Sequence, residues 1–233
     1  MADAPIALVT GSRKGIGRHL AERLVAGGYR VVGCSRQDAG WSLPSYEHVV
    51  ADVTDESQVI ALVSGIRQRY GALDALVNNA GVASMNAALL TPGATVERIF
   101  RTNFLGTVLV SRESAKVMMT RRFGRIVNLT SVAVPMALEG EAIYAASKSA
   151  VETFTRILAR ELGASGITVN AVGPPPIPTD LTRGVPSEKL DALVGRLSTG
   201  RPGTLEDVAN AVEFFLRRES GAVTGQILYL GGP

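Results

Sequence analysis

Residues 6–28 read IALVTGSRKGIGRHLAERLVAGG, and this stretch decides the fold. The apolar, β-branched run IALVT predicts a strand over 6–10, and GIGRHLAERLVAGG carries apolar residues at helical spacing. Between them lies Thr10-Gly-Ser-Arg-Lys-Gly-Ile-Gly17. A glycine-rich turn between a strand and a helix lets the backbone approach a pyrophosphate and aims the helix N-terminus at it. Glycines also serve plain tight turns, and the spacing Gly11, Gly15, Gly17 differs from the commoner G-x-G-x-x-G. The turn therefore has to be read with the rest of the chain.

The alternation continues to the end. Strands are predicted at 30–35 (RVVGCS), 47–51 (EHVVA), 75–79 (ALVNN), 125–131 (RIVNLTS), 167–172 (ITVNAV) and 226–230 (QILYL). Helical spacing fills the intervals, notably ESQVIALVSGIRQRYG, a long helix over about 95–121 and EDVANAVEFFLRR. Strands that read as nearly continuous apolar runs are buried on both faces, and helical crossovers make them parallel. The expectation is an α/β chain: one doubly wound, Rossmann-type domain over 1–233, with about seven parallel strands and helices on both faces. Ligands of such sheets sit beyond the carboxyl ends of the strands.

Composition removes several classes of protein. Of the 233 residues 46% are hydrophobic and 19% charged, with no Pro/Gly/Ser-rich linker to mark a boundary. No apolar run approaches the ~20 residues of a membrane span, and MADAPIALVTG lacks a basic segment before a long apolar one, so a cytoplasmic protein is expected. The single cysteine, Cys34, reads as packing, and two separated histidines, His19 and His48, give little material for a triad or a zinc site. A net charge of +3 does not argue for nucleic acid, and Arg121, Arg122 and Arg125 read as a solvated helix terminus.

Two further stretches carry chemistry. The second strand ends Gly-Cys-Ser35-Arg36, where many NAD-binding folds place an acidic residue against the adenosine ribose. A guanidinium there suits a 2′-phosphate, which it can hold by two parallel hydrogen bonds, and Arg13 can join it. NADP(H) is therefore preferred over NAD(H). Residues 139–152 read EGEAIYAASKSAVE, a helical composition in which Tyr144 and Lys148 share one face. Alone, that pair also fits a half-buried tyrosine and an exposed lysine on an amphipathic helix.

The glycine turn, Asn78-Asn79-Ala80-Gly81, Ser131 and Tyr144-x-x-x-Lys148, in this order, resemble the short-chain dehydrogenase/reductase family over essentially the whole chain, with 3-oxoacyl-thioester reductases of the acyl-carrier-protein type nearest in character. The resemblance implies that Tyr144 protonates a carbonyl oxygen, Ser131 holds that oxygen, and Lys148 brings the phenol toward the working pH. Asn103 would bend its helix and lead protons to the lysine. Cofactor contacts are implied for Gly11, Ser12, Arg13, Gly15, Ile16 and Gly17; for Ser35 and Arg36; for Asp52 and Val53; for Asn79, Ala80 and Gly81; and for Tyr144, Lys148, Pro174, Ile177 and Thr179. Asp52 can also simply start a turn, and Asn79 can tie strand four to its neighbour.

The activity implied is NADPH-dependent reduction of a ketone to a secondary alcohol, the ketone being a 3-oxoacyl thioester or another hydrophobic one. The alternatives are NAD(P)-dependent oxidation of a hydroxylated metabolite and a non-catalytic dinucleotide-binding regulator. Val132, Val134, Met136, Leu138, Pro176 and Leu181 are expected near the reacting carbon, under a short lid at about 179–200. Acyl-carrier protein is a candidate partner; Arg122 matches one docking position and Ser165 stands at the other. Phe104, Val108, Val110, Val151, Phe154 and Ile157 are expected to pair subunits into a homotetramer or homodimer. Where the family usually shows Pro-Gly after strand six, this chain has Pro174-Pro175, which stiffens the loop.

Overall fold

In the computed structural model, which describes residues 4–179 and 187–233, the opening run forms strand β1 (Ile6–Thr10) and the helix after it is α1 (Gly15–Ala26). The strand serves two cores. Ile6 and Leu8 pack on one face of the sheet with Leu62, Ile66, Leu109 and Leu158, while Ala7 and Val9 pack on the other with Leu20, Leu24, Val212 and Phe215. This is why IALVT shows no polar alternation. Emptying such a site, as in Leu8→Ala, costs about 2–5 kcal/mol.

The remaining strands are β2 (Arg30–Ser35), β3 (Tyr46–Val50), β4 (Ala75–Asn78), β5 (Gly124–Leu129), β6 (Ile167–Gly173) and β7 (Ile227–Tyr229). All pair in parallel in the order β3-β2-β1-β4-β5-β6-β7. The winding reverses between β1 and β4, so the crevice beyond their carboxyl ends is the place for a ligand. Helices α2 (Glu56–Tyr70), α4 (Gly106–Arg121) and α6 (Ala142–Gly163) cover one face; α1 and α8 (Leu205–Leu216) cover the other. Asp55 caps α2 by accepting from Ser57 N and Gln58 N, and Thr204 with Asp207 forms a capping box on α8.

The helix expected over 95–121 is interrupted. It runs as α3 (Gly93–Phe100), a π-helical turn over Arg101–Leu105 and then α4. The wide turn is centred on Asn103, whose amide leaves the helix to bind the loop after β4. Short helix α5 (Ala133–Met136) and α7 (Ser187–Val194) complete the elements, and α7 is the described part of the expected lid. Leu181 and the lid segment 180–186 lie outside the described residues.

Two surface expectations are corrected. Arg125 is not part of a solvated helix end: it lies on β5, is 5% exposed, stacks 4.5 Å over Phe123 and donates to Arg217 O and Arg218 O. Of the six expected interface residues, Val110 and Val151 are buried within the protomer. Phe104 and Phe154 meet edge to face at 6.2 Å, and Ile157 alone is largely exposed, at 52%. Cys34 is fully buried in the core, as expected, and burial pushes its thiol up to about 12. Among the described residues no helix is long and apolar enough to cross a membrane, and no His/Cys/Asp/Glu group could hold a metal ion.

Candidate active site

Beyond β1 the chain turns with Gly11 at φ 68°, and a Cβ there would come within 2.9 Å of Ala80 Cα and Asn79 Nδ2. A Cβ on Gly17 would overlap Gly11 O and the same amide. Asn79 Nδ2 donates to Thr10 O at 2.9 Å and Gly11 O at 3.2 Å, and Thr10 Oγ1 accepts from Asn79 N and Ala80 N. Gly11 and Gly17 are thus packing glycines that lock the turn onto the loop after β4. Gly15 differs: at φ 57° it has only Thr179 near, at 3.9 Å, and so leaves space above the start of α1.

That space is a cleft of about 790 Å³ lined by the glycine turn, Arg13, Ser35, Arg36, Asp52, Val53, the Asn79–Gly81 loop and Thr179. Helix α1 starts at its edge with no side-chain cap on its N-terminus and no acidic residue in its first turn. Its unpaired N–H groups and positive dipole end fit a pyrophosphate, and the two arginines fit a further phosphate. A dinucleotide is therefore compatible with the residues present. Asp52 does start a turn, accepting from Thr54 N at 2.9 Å, while also bordering the cleft.

Ser12 departs from expectation. Its side chain is turned into the protein, where its hydroxyl meets Tyr46 Oη at 2.9 Å. Tyr46 in turn bonds His48 Nδ1 at 2.7 Å, and His48 Nε2 lies 3.0 Å from Ser35 Oγ. Gly33 has no room for a Cβ because this chain of polar groups crosses it. Trp41 stacks on Tyr46 at 4.1 Å and donates to Arg13 O. The glycine turn and the Ser35–Arg36 corner are therefore held from β3, and Ser12 anchors the turn without facing the cleft.

A second cleft of about 570 Å³ opens beside the first, sharing Ile16, Asn79, Gly81, Val82, Ala83 and Thr179 with it. Ser131, Tyr144 and Lys148 line it together, Ser131 beyond β5 and the other two on α6. Lys148 Nζ donates to Leu129 O at 2.7 Å, lies 5.9 Å from the Tyr144 ring centre, and is lowered to about 8 by burial. Burial also raises Tyr144, to about 12; the Ser131 hydrogen bond opposes this and the Glu141 charge adds to it. Both groups are desolvated, which disfavours each charged form. Asn103 is fully buried and lines neither cleft: its amide accepts from Val82 N and donates to Val82 O and Ser147 Oγ.

Val132, Met136, Leu138 and Pro176 line this cleft as expected, with Pro174 and Ile177, whereas Val134 does not. Pro175 is buried between Gly203, where a Cβ would approach its Cγ to 2.7 Å, and Gly231. The extra proline is accommodated by glycines at those two places. Sequence reasoning missed the polar part of the wall, namely Glu139, Glu141, Lys189 and Arg196. Glu141 was within reach of that reasoning, since it stands one helical turn before Tyr144; α7 and its flank give no such register. Arg122, the expected docking position at the end of α4, is engaged with the end of α6, donating to Ala164 O at 2.7 Å.

A doubly wound sheet whose first turn is open to a pyrophosphate, and whose fifth strand meets a Tyr-x-x-x-Lys helix, defines the short-chain dehydrogenase/reductases, and this chain belongs to that oxidoreductase family. Within the family it is FabG-like. The model of the enoyl-(acyl carrier protein) reductase family matches residues 11–232. The 3-oxoacyl-(acyl-carrier-protein) reductase FabG of Escherichia coli is 35% identical over 236 residues, covering 99% of this chain and 97% of that protein. The FabG of Haemophilus influenzae is 36% identical, with 97% and 96% covered. Among solved structures, the ligand-free aldohexose dehydrogenase of Thermoplasma acidophilum superposes with a TM-score of 0.90 at 32% identity, covering 98% of this chain and 93% of that one. A protein provisionally described as a gluconate dehydrogenase from Agrobacterium tumefaciens gives 0.92 at 31%, with 98% and 94% covered.

Proposed function

We propose that the protein is a cytoplasmic NADPH-dependent reductase that converts a ketone to a secondary alcohol, with Tyr144 as the proton donor. The reading rests on one observation: Ser131, Tyr144 and Lys148 stand together in a cleft that is continuous with the one fitted to a dinucleotide. NADPH, when bound, supplies the hydride. The Ser131 hydroxyl positions the carbonyl oxygen, and the Tyr144 hydroxyl gives that oxygen its proton. The phenol, raised to about 12 by burial, holds its proton throughout the physiological range, and donation to the carbonyl oxygen requires the charge of Lys148 to bring it down toward the working pH. Lys148 and the Asn103–Ser147 pair lie behind it as the route by which the proton is restored. Arg36 and Arg13 read the 2′-phosphate. The relatives named as acyl-carrier-protein reductases make a 3-oxoacyl thioester, with acyl-carrier protein as partner, one candidate ketone, and the exposed Ile157 beside Phe154 on α6 suits the twofold contact of a homotetramer or homodimer.

A second direction, NADP-dependent oxidation of a hydroxylated metabolite, is favoured by the carboxyl of Glu141 in the cleft and by the structural neighbours named as sugar and sugar-acid dehydrogenases. The test is a steady-state survey of NADPH consumption with acetoacetyl thioesters, quinones and cyclic ketones. The reductase reading stands if at least one of these classes turns over with NADPH preferred to NADH, and it fails if none does.

A further inference from the structure

The carboxyl of Glu141 lines the catalytic cleft without an ion pair or hydrogen bond from any described residue, although burial raises its pKa. Glu141 is the residue that starts α6, yet its side chain makes no capping bond to that helix. Only its backbone is engaged, its N–H donating to Leu138 O and its carbonyl accepting from Ala145 N. The carboxyl neither caps nor pairs and is only partly exposed, so a ligand that fills the cleft and covers it must supply the hydrogen bond that water otherwise gives it. Its neighbourhood says where that partner sits. Glu141 stands three residues before Tyr144, and the two side chains line the same cleft. The Glu141 charge is felt at the Tyr144 phenol.

We propose that Glu141 is a specificity residue that accepts a hydrogen bond from a hydroxyl on the carbon next to the reacting one, so that the substrate is an α-hydroxy ketone and, in the reverse direction, a vicinal diol. This rests on the reading of Tyr144 as the group that meets the carbonyl oxygen. With that oxygen at Tyr144, a hydroxyl on the adjacent carbon reaches the carboxyl through one hydrogen bond of about 2.6 Å. A plain acyl chain in the same place strips water from the carboxyl and returns nothing. Discrimination on that basis is large, because a site built to bond a hydroxyl is left with an unpaired buried group when the hydroxyl is missing. The cations of the same cleft, Lys189 and Arg196, form no ion pair with it.

The experiment compares kcat/KM with NADPH for two matched pairs, 2-butanone with 3-hydroxy-2-butanone and cyclohexanone with 2-hydroxycyclohexanone. Wild type, Glu141→Gln and Glu141→Leu are measured. The readout is the hydroxylated-to-plain ratio in each protein, from which intrinsic differences in carbonyl reactivity and any change at Tyr144 cancel. The ratio should fall roughly tenfold to a hundredfold from wild type to Glu141→Leu, with Glu141→Gln, which keeps an acceptor oxygen, in between. Equal ratios in wild type and Glu141→Leu, with turnover intact, would overturn the assignment and leave the reductase reading standing. Failure of the wild type to reduce either hydroxylated ketone while it turns over an acetoacetyl thioester or a quinone would overturn this assignment and leave the reductase reading standing; failure on every one of these classes would remove the reductase reading itself.

Discussion

The two clefts are adjacent, yet they are built by different rules. In the dinucleotide half the contacts are short and mutually exclusive of alternatives: Gly11 and Gly17 have no room for a Cβ, and Thr10 and Asn79 tie two loops together through the backbone. In the substrate half the wall is assembled from side chains of α5, the start of α6 and α7, several of which have no fixed partner. The first half can therefore accept little variation in sequence. The second can change its lining without disturbing the fold, which is how one scaffold comes to serve many substrates.

The largest effect should come at the junction of the halves. Tyr144→Phe is expected to lower kcat by about 10²–10⁴, the usual worth of a general acid, with NADPH affinity nearly unchanged. Equilibrium titration of NADPH beside single-turnover kinetics checks both parts, and a variant retaining more than a few per cent of kcat would move the acid elsewhere.

Lys148→Met sharpens the contrast between stability and function. Turnover and NADPH binding should both weaken, while the folded protein gains stability. The wild-type lysine drops from its ordinary 10.5 to about 8 on burial, corresponding to about 3 kcal/mol of cost. Because the folded pKa lies below the unfolded one, that cost is fully present below about pH 8 and is relieved as the pH rises toward 10.5. Lys148→Met should therefore be more stable than wild type at pH 7, and its advantage should shrink across that window, since the raised Cys34 and Tyr144 act on both proteins alike. Denaturant unfolding of both proteins at pH 7 and pH 10 tests the sign.

Arg36→Asp probes the dinucleotide half. It removes a charge-assisted hydrogen bond and adds repulsion, so NADPH should lose roughly tenfold to a hundredfold in kcat/KM, about 1.5–3 kcal/mol, while NADH holds or improves. An unchanged cofactor ratio would assign the phosphate to another group. The smallest effect is expected at Tyr46→Phe, which breaks the link from Ser12 to His48: about 1 kcal/mol of stability and a modest rise in KM for NADPH. A rise for NADH of equal size would show that the link supports the turn as a whole and not the phosphate corner.

The number of strands, the double winding and the glycine turn were legible because each depends on neighbours in sequence: apolar runs, glycines and helical spacing between them. What was not legible depends on distant partners. Ser12 reads as a ligand contact until Tyr46, thirty-four positions along, is seen to take its hydroxyl. Val110 and Val151 read as surface because helical spacing says which face is apolar and not how many neighbours cover it. Asn103 was recognised as helix-bending, but its partner, the backbone of Val82, follows only from the loop's path. Glu141 is ordinary in sequence, one acidic residue at a helix start, and only its place in the cleft makes it unusual.

The proline run after β6 gives one half of the site a peculiar experimental signature. Pro174, Pro175, Pro176 and Pro178 carry no amide hydrogen, so between residues 174 and 179 only Ile177 and Thr179 can produce a backbone amide resonance. Dihedrals preset by the prolines leave little conformational freedom to lose when a ligand docks, which places the entropy of assembling this wall in the synthesis of the chain and not in the encounter. Titration of the protein with NADPH should accordingly move two signals from this wall and broaden neither.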